Sequence, residues 1–192
     1  MPPKCKFTRE EIIQAALYMA RTVGIGFITA RSLGAQLGAS SKPIFSVFKN
    51  MEEVQQEVIK AARNEYNQYV KTGLLQTPAF KGVGMQYISF AKKEPKLFQL
   101  LFMTEQPEKK DSLSILPVLD DNYSKIVASI QAGYNLAETS AKKLYQHLWI
   151  YTHGIASLLA TNVCDFTDKE IGNMLTEVCK SLLKQIKENP TQ

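Results

Sequence analysis

The sequence predicts an all-α fold, an N-terminal set of short helices followed by a larger helical bundle. Three observations predict it. Apolar residues recur at three- and four-residue spacing nearly throughout. Proline and glycine are sparse, at 8 and 10 of 192 residues. No sustained apolar alternation and no Asn-Gly or Asp-Gly hairpin signal marks a strand. With 45% hydrophobic and 21% charged residues, the chain has enough apolar material for a proper core.

The elements follow in order. Thr8 and Glu11 have the spacing of a capping box, flanked by Phe7 and Ile12 as a hydrophobic staple, so a first helix is expected to start at Thr8. Ile12, Ile13, Ala16, Leu17 and Ala20 give it an apolar face, and Gly24 is expected to stop it. "GIGF" reads as a turn. Thr29 caps a second helix carrying Leu33 and Leu37 on one side, and Gly38 permits a sharp reversal. Ser40 is the expected cap of a third helix, with Pro43 in its first turn and Ile44, Val47 and Phe48 as anchors. Asn50 and Glu53 repeat the capping logic for a long fourth helix, from Met51 to about Thr72. Further helices are expected near 78–93, 95–104, 112–134, 137–162 and 167–188. Asn135 with Glu138 caps the penultimate one, and Thr167 with Glu170 the last, beside a Phe166 and Ile171 staple. "EQPEKKD", 105 to 111, reads as a charged surface loop.

Charge is unevenly placed. Residues 1–51 hold seven basic groups and two acidic ones, while residues 52–192 hold sixteen of each, so the whole formal excess of +5 sits in the first quarter. A basic head on a neutral body points to a polyanionic partner. Cys5, Cys164 and Cys179 are odd in number and scattered, which suits a reducing cytoplasm rather than a disulfide framework. "MPPKCKFTREE" carries no apolar signal-peptide core, and the most apolar stretch, 144–163, is interrupted by Gln146, His147, Thr152 and His153, so no membrane partner is expected.

Three short helices with a glycine turn between the second and third are the helix-turn-helix arrangement, in which the third helix enters the major groove of double-stranded DNA. Ser40, Ser41 and Lys42 fall at that helix's N-terminus, where N–H groups, hydroxyls and an ammonium favour a phosphate.

The run "FTREEIIQAALYMARTVGIGFITARSLGAQLGASSKPIFSVFKNMEEV" resembles the N-terminal domain of the tetracycline-repressor (TetR/AcrR) family of transcription regulators, in the order and length of four helices and above all in "ITARSLGAQLGAS" and the Phe48–Glu53 joint. The resemblance implies a DNA-binding domain at 1–50 and an effector-binding and dimerisation domain at 51–192. It implies a homodimer on an inverted-repeat operator, most often a repressor, released by a small-molecule effector. Thr29, Ser40, Ser41 and Lys42 then stand at positions that meet DNA, as do Pro43, Phe45 and Ser46. Lys49 would sit near the DNA backbone where the fourth helix begins. Arg31, the arginine nearest the short helices, joins this set without an assigned base. Where the family usually carries two tyrosines in the third helix, this chain has Phe45 and Val47, which removes two hydroxyl donors. That departure leaves a second reading open, a helical interaction module without DNA binding. Phe45 itself reads equally as a DNA contact or as core beside Phe48.

In the same layout the segment 84–102 faces an effector cavity, and Met85, Phe90, Phe102 and Trp149 are its candidate wall. Trp149 and His153 share a helix face, so His153 either hydrogen-bonds an effector or is satisfied inside the body. The last two helices look like a dimer seam, with Leu148, Tyr151, Ile155 and Leu159 on one and Leu175, Val178 and Leu182 on the other. His147 and His153 lie off-face and lack acidic or thiol companions, so no metal is expected. No Gly-rich phosphate loop or nucleophile elbow occurs, and neither an enzyme nor a cofactor is expected.

Overall fold

The structure, a computed structural model, describes residues 6–105 and 114–189. Among the described residues every regular element is helical, in ten α-helices and one 3-10 turn. Most of the 105–111 loop and the first five residues, Cys5 included, lie outside the described residues. Two compact units form. One holds the chain up to Glu65 together with Lys96–Thr104, and the other holds Tyr66–Pro95 and the described residues from Glu105 onward.

The first unit begins with α1 (Arg9–Thr22), and the expected capping box is in place. Thr8 Oγ1 accepts the Glu11 N–H at 3.2 Å, and a Glu11 carboxylate oxygen accepts the Thr8 N–H at 2.7 Å. That backbone donor holds the Glu11 carboxyl below the usual range. The 3-10 turn Ile25–Phe27 leads into α2 (Ala30–Gln36), capped by Thr29 with Ser32 as the reciprocal partner. α3 spans only Lys42–Phe45. Its N-cap is Ser41 rather than Ser40, and no side chain caps it. A one-turn helix has little dipole to offer an anion, so any phosphate preference here rests on Lys42 and the hydroxyls.

α4 (Met51–Leu74) starts with Asn50 Oδ1 accepting the Glu53 N–H at 2.9 Å, and Glu53 reaches back to the Lys49 N–H at 2.8 Å rather than to Asn50. Ile12, Ala16, Ile28, Leu33, Ile44 and Phe48 are buried in this unit, together with Val54 and Val58 of α4. α6 (Pro95–Phe102) adds Leu97, Phe98, Leu100 and Leu101.

In the second unit α5 (Ala79–Lys93), α8 (Tyr123–Tyr134), α9 (Glu138–Ala160) and α10 (Asp168–Glu188) form the bundle, with α9 packed against the other three. The helix expected over 112–134 is two helices, α7 (Leu116–Leu119) and α8. Asp120 breaks it by taking an extended backbone and turning its carboxylate Oδ1 onto the Asn122 N–H at 2.8 Å. A short acidic side chain that bonds nearby backbone competes with the helix ladder. Asn135 does not cap α9 as expected. It ends α8 in the left-handed conformation at φ 53°, and Ala137 precedes α9 with no side-chain cap. The Thr167–Glu170 capping box stands as expected. No helix among the described residues is long and apolar enough to cross a membrane.

Candidate functional site

Two places in the chain concentrate the predicted residues. The first is the α2–turn–α3 segment. Gly34 lies so close to the following turn that a Cβ would meet Ala39 O and the Ser40 carbonyl carbon at 3.0 Å, and Gly38 takes a positive φ of 63°. Both requirements come from the reversal itself, which the Ala39 N–H to Gly34 O bond closes at 2.9 Å. Ile44 and Phe48, 0% and 2% exposed, point into the core and hold the third helix down.

Its other side is open. Phe45 is 47% exposed, so it is not core beside Phe48. Thr29, Arg31, Ser40, Lys42, Ser46 and Lys49 are exposed as well, while Ser41 and Pro43 are half-buried. Ser46 donates to the Pro43 carbonyl at 2.6 Å, which ties its hydroxyl to the helix. Val47, half-buried, offers no side-chain donor.

The cations of this unit divide by role. Arg9 lies 4.2 Å from the Phe48 ring centroid and pairs with Glu53 at 3.0 Å and Glu57 at 3.5 Å. Arg21 pairs with Glu65 at 3.7 Å. These two tie α1 to α4. Arg31 and Lys42 make no ion pair among the described residues, and the ammonium of Lys49 makes none either.

The second place is a cavity of about 300 Å³ inside the second unit. Tyr66, Phe80, Tyr87, Tyr134, Tyr145 and Trp149 present rings to it, and Leu148, Leu175 and Leu183 fill between them. Three of the phenols are tied up behind the wall. Tyr66 and Tyr145 both donate to Asp120 Oδ2, at 2.8 and 3.2 Å. Burial first, and the Asp120 charge second, push both phenols well above their ordinary range. Tyr87 bonds His153 Nδ1 at 2.9 Å and takes a hydrogen bond from Trp149, whose ring stacks on His153 at 4.9 Å. Burial lowers the His153 pKa, and which of the two groups donates in this pair follows from the tautomer of the neutral ring. Tyr134 takes the Cys179 thiol at 3.8 Å, and burial raises its phenol to about 12.

The predicted ligand residues divide accordingly. Trp149 lines the cavity. His153 stands behind Tyr87, in the satisfied arrangement. Three other expected wall residues lie off this cavity. Met85 is half-buried on α5 off the wall, and Phe90 is fully buried against Tyr66 and Tyr69. Phe102 belongs to the other compact unit.

Of the expected seam residues, Leu148, Ile155 and Leu175 are buried within the single chain, and Leu148 and Leu175 line the cavity. Tyr151, Leu159, Val178 and Leu182 are half-exposed. Ile150 and Leu158, at 54% and 39%, are the most open apolar side chains of α9. Sequence reasoning missed the tyrosines and Asp120. Their signal was a buried-helix periodicity that Tyr66, Tyr87 and Tyr145 share with plain core residues. Among the described residues no three His, Cys, Asp or Glu side chains gather as a metal site would need.

The chain thus combines a helix-turn-helix segment with an aromatic cavity within an all-α body. A model of the tetracyclin repressor-like C-terminal domain matches residues 80–182, more than half of the chain. The chain therefore belongs to the tetracycline-repressor family, a family of transcription regulators. No curated protein matches it.

Proposed function

We propose that the protein is a DNA-binding transcription regulator, in the first place a repressor that leaves its operator when a small hydrophobic effector fills the cavity. In this reading residues 1–50 bind DNA, and residues 51–192 bind the effector and pair two copies.

One observation carries it. The third helix is anchored by Ile44 and Phe48 while Phe45, Lys42 and Lys49 stay open, and neither ammonium makes an ion pair among the described residues. An exposed Phe beside unpaired cations costs stability and solubility unless something covers it. The edge of a duplex does so, with the ring against a thymine methyl and the ammonium groups against phosphates. Thr29, Arg31, Ser40, Ser41, Pro43 and Ser46 surround this centre and complete the contact surface.

Pairing through α9 and α10 gives two such heads for an inverted repeat. Tyr151, Leu159, Val178 and Leu182 supply the partly open apolar surface, with Ile150 and Leu158 beside them. An effector that binds one body conformation better than the other shifts the population between them.

The test is footprinting and fluorescence anisotropy on DNA from upstream of the protein's own gene, with salt varied. Each phosphate neutralised contributes about 0.9 to the slope of log affinity against log salt. A steep slope and a symmetric footprint support the reading. A flat salt response with no protected site returns the head to a protein-interaction role.

A further inference from the structure

The chemistry of the cavity narrows its ligand, provided the cavity is the effector site proposed above. Among the described residues its wall contains no carboxylate but two lysines, Lys81 of α5 and Lys180 of α10. Both are exposed while also lining the cavity, which places them at its rim. They share one edge of it. Lys81 Nζ donates to Thr176 Oγ1 at 2.9 Å, and Thr176 stands one helical turn before Lys180 on the same face of α10. Neither ammonium has an acidic partner among the described residues.

The interior has the opposite character. The O–H groups of Tyr66 and Tyr145 are directed at Asp120, and the Tyr87 hydroxyl is paired with His153. Thr152 donates to the Leu148 carbonyl at 2.6 Å. The inner polar groups are thus saturated by the protein itself, and what remains facing inward is ring and aliphatic surface. Asp120 offers no site for a cation, because it lies behind the phenols and already accepts three hydrogen bonds.

We infer that the cavity takes an amphipathic anion, an apolar acyl or aryl body in the aromatic interior with a single carboxylate or similar head held at the rim by Lys81 and Lys180. The apolar body supplies most of the affinity, and the lysines set its orientation and reject a cationic head.

Trp149 is the only tryptophan in the chain and lines the cavity, so its fluorescence reports occupancy. The probes are octanoate, decanoate and dodecanoate, with decanol and decyltrimethylammonium as the neutral and cationic counterparts. Affinity for the carboxylates should rise about fourfold per methylene until the cavity is full. The Lys81→Met/Lys180→Met variant, altered only at exposed positions, should weaken decanoate roughly tenfold and leave decanol unchanged. Gly84→Leu should abolish binding while circular dichroism shows the helices intact, since a Cβ at Gly84 already meets Leu175 Cδ1 at 3.4 Å and the rest of the side chain fills the space.

Tighter binding of the cation than of decanoate would overturn the inference, as would a decanoate affinity that ignores the double lysine change. Decanoate bound in the cavity with no effect on operator affinity leaves the ligand class standing and removes effector release. An operator complex released by some other compound while no carboxylate binds does the reverse.

Discussion

The Tyr66 hydroxyl donates a 2.8 Å hydrogen bond to Asp120, joining a phenol that is 1% exposed to a carboxylate that is 3% exposed. Tyr145 approaches the same oxygen at 3.2 Å, and the backbone of Asn122 satisfies the other. A buried carboxylate without a cationic partner is held by donors alone, and each one matters. This cluster fixes the rear of the cavity wall from α4 and α9, with Asp120 in the break between α7 and α8.

Tyr66→Phe keeps the ring and removes the donor. It should lower stability by about 1–3 kcal/mol in urea unfolding, because a buried acceptor loses a donor. Removing the Tyr145 hydroxyl as well should cost more than the two single changes added, since both serve one oxygen. A Tyr66→Phe protein as stable as wild type would mean that the carboxylate does not depend on this phenol.

Asp120 also marks how far the sequence could be read. The apolar spacing over 112–134 is continuous and predicts one helix. Nothing local says that Asp120 will find Tyr66, 54 residues away, and leave the ladder to do so. The three Ser/Thr/Asn caps with Glu or Ser three residues on, at Thr8, Thr29 and Thr167, were legible because both partners lie within one turn. Asn135 has the same spacing to Glu138 but sits closer to the end of α8, where its tolerance of the left-handed region decides its role.

His153 gives the pH dependence a sign. Burial lowers its folded pKa below the ordinary 6.5, so the folded state resists protonation that the unfolded chain accepts. The stability from this group is fully present above 6.5 and declines as pH falls below it, levelling off beneath the folded pKa. Thermal melts between about pH 7.5 and about pH 5.5 should therefore show a larger drop for wild type than for His153→Gln. Parallel curves would remove His153 as the cause.

The cavity was half legible. Trp149 and the aromatic run of α5 announced an apolar interior, but helical spacing cannot say which of two buried faces meets a void and which meets another helix. Phe90 and Leu148 illustrate it. Phe90 packs on Tyr66 and Tyr69, and Leu148 lines the cavity, although the sequence suggests Phe90 for the cavity wall and Leu148 for a dimer seam.

Arg9 and Lys42 should separate cleanly in mutation. Arg9→Ala removes the cation over Phe48 and the bridges to Glu53 and Glu57, so it should cost about 1–2 kcal/mol of stability, the sum of partly exposed contacts. Lys42→Ala should leave the melting temperature alone. In the DNA-binding reading it lowers affinity for all sequences alike and reduces the salt slope by about one unit. A Lys42→Ala protein with an unchanged slope would take Lys42 off the phosphate backbone.

Phe45 and Phe48 make the sharpest contrast, because they are three residues apart and chemically identical. Phe48 is 2% exposed beneath Arg9, and Phe48→Ala opens a cavity in a small core, which should cost about 3–5 kcal/mol. Phe45 is 47% exposed, and Phe45→Ala should stay within about 0.5 kcal/mol of wild type or even gain, since an open ring contributes little to folding. If the ring meets a thymine methyl, Phe45→Ala instead weakens operator binding, and the loss shrinks when that thymine is replaced by uracil, which lacks the methyl group. Equal loss on both DNAs would show that the ring acts by shaping α3 rather than by touching a base.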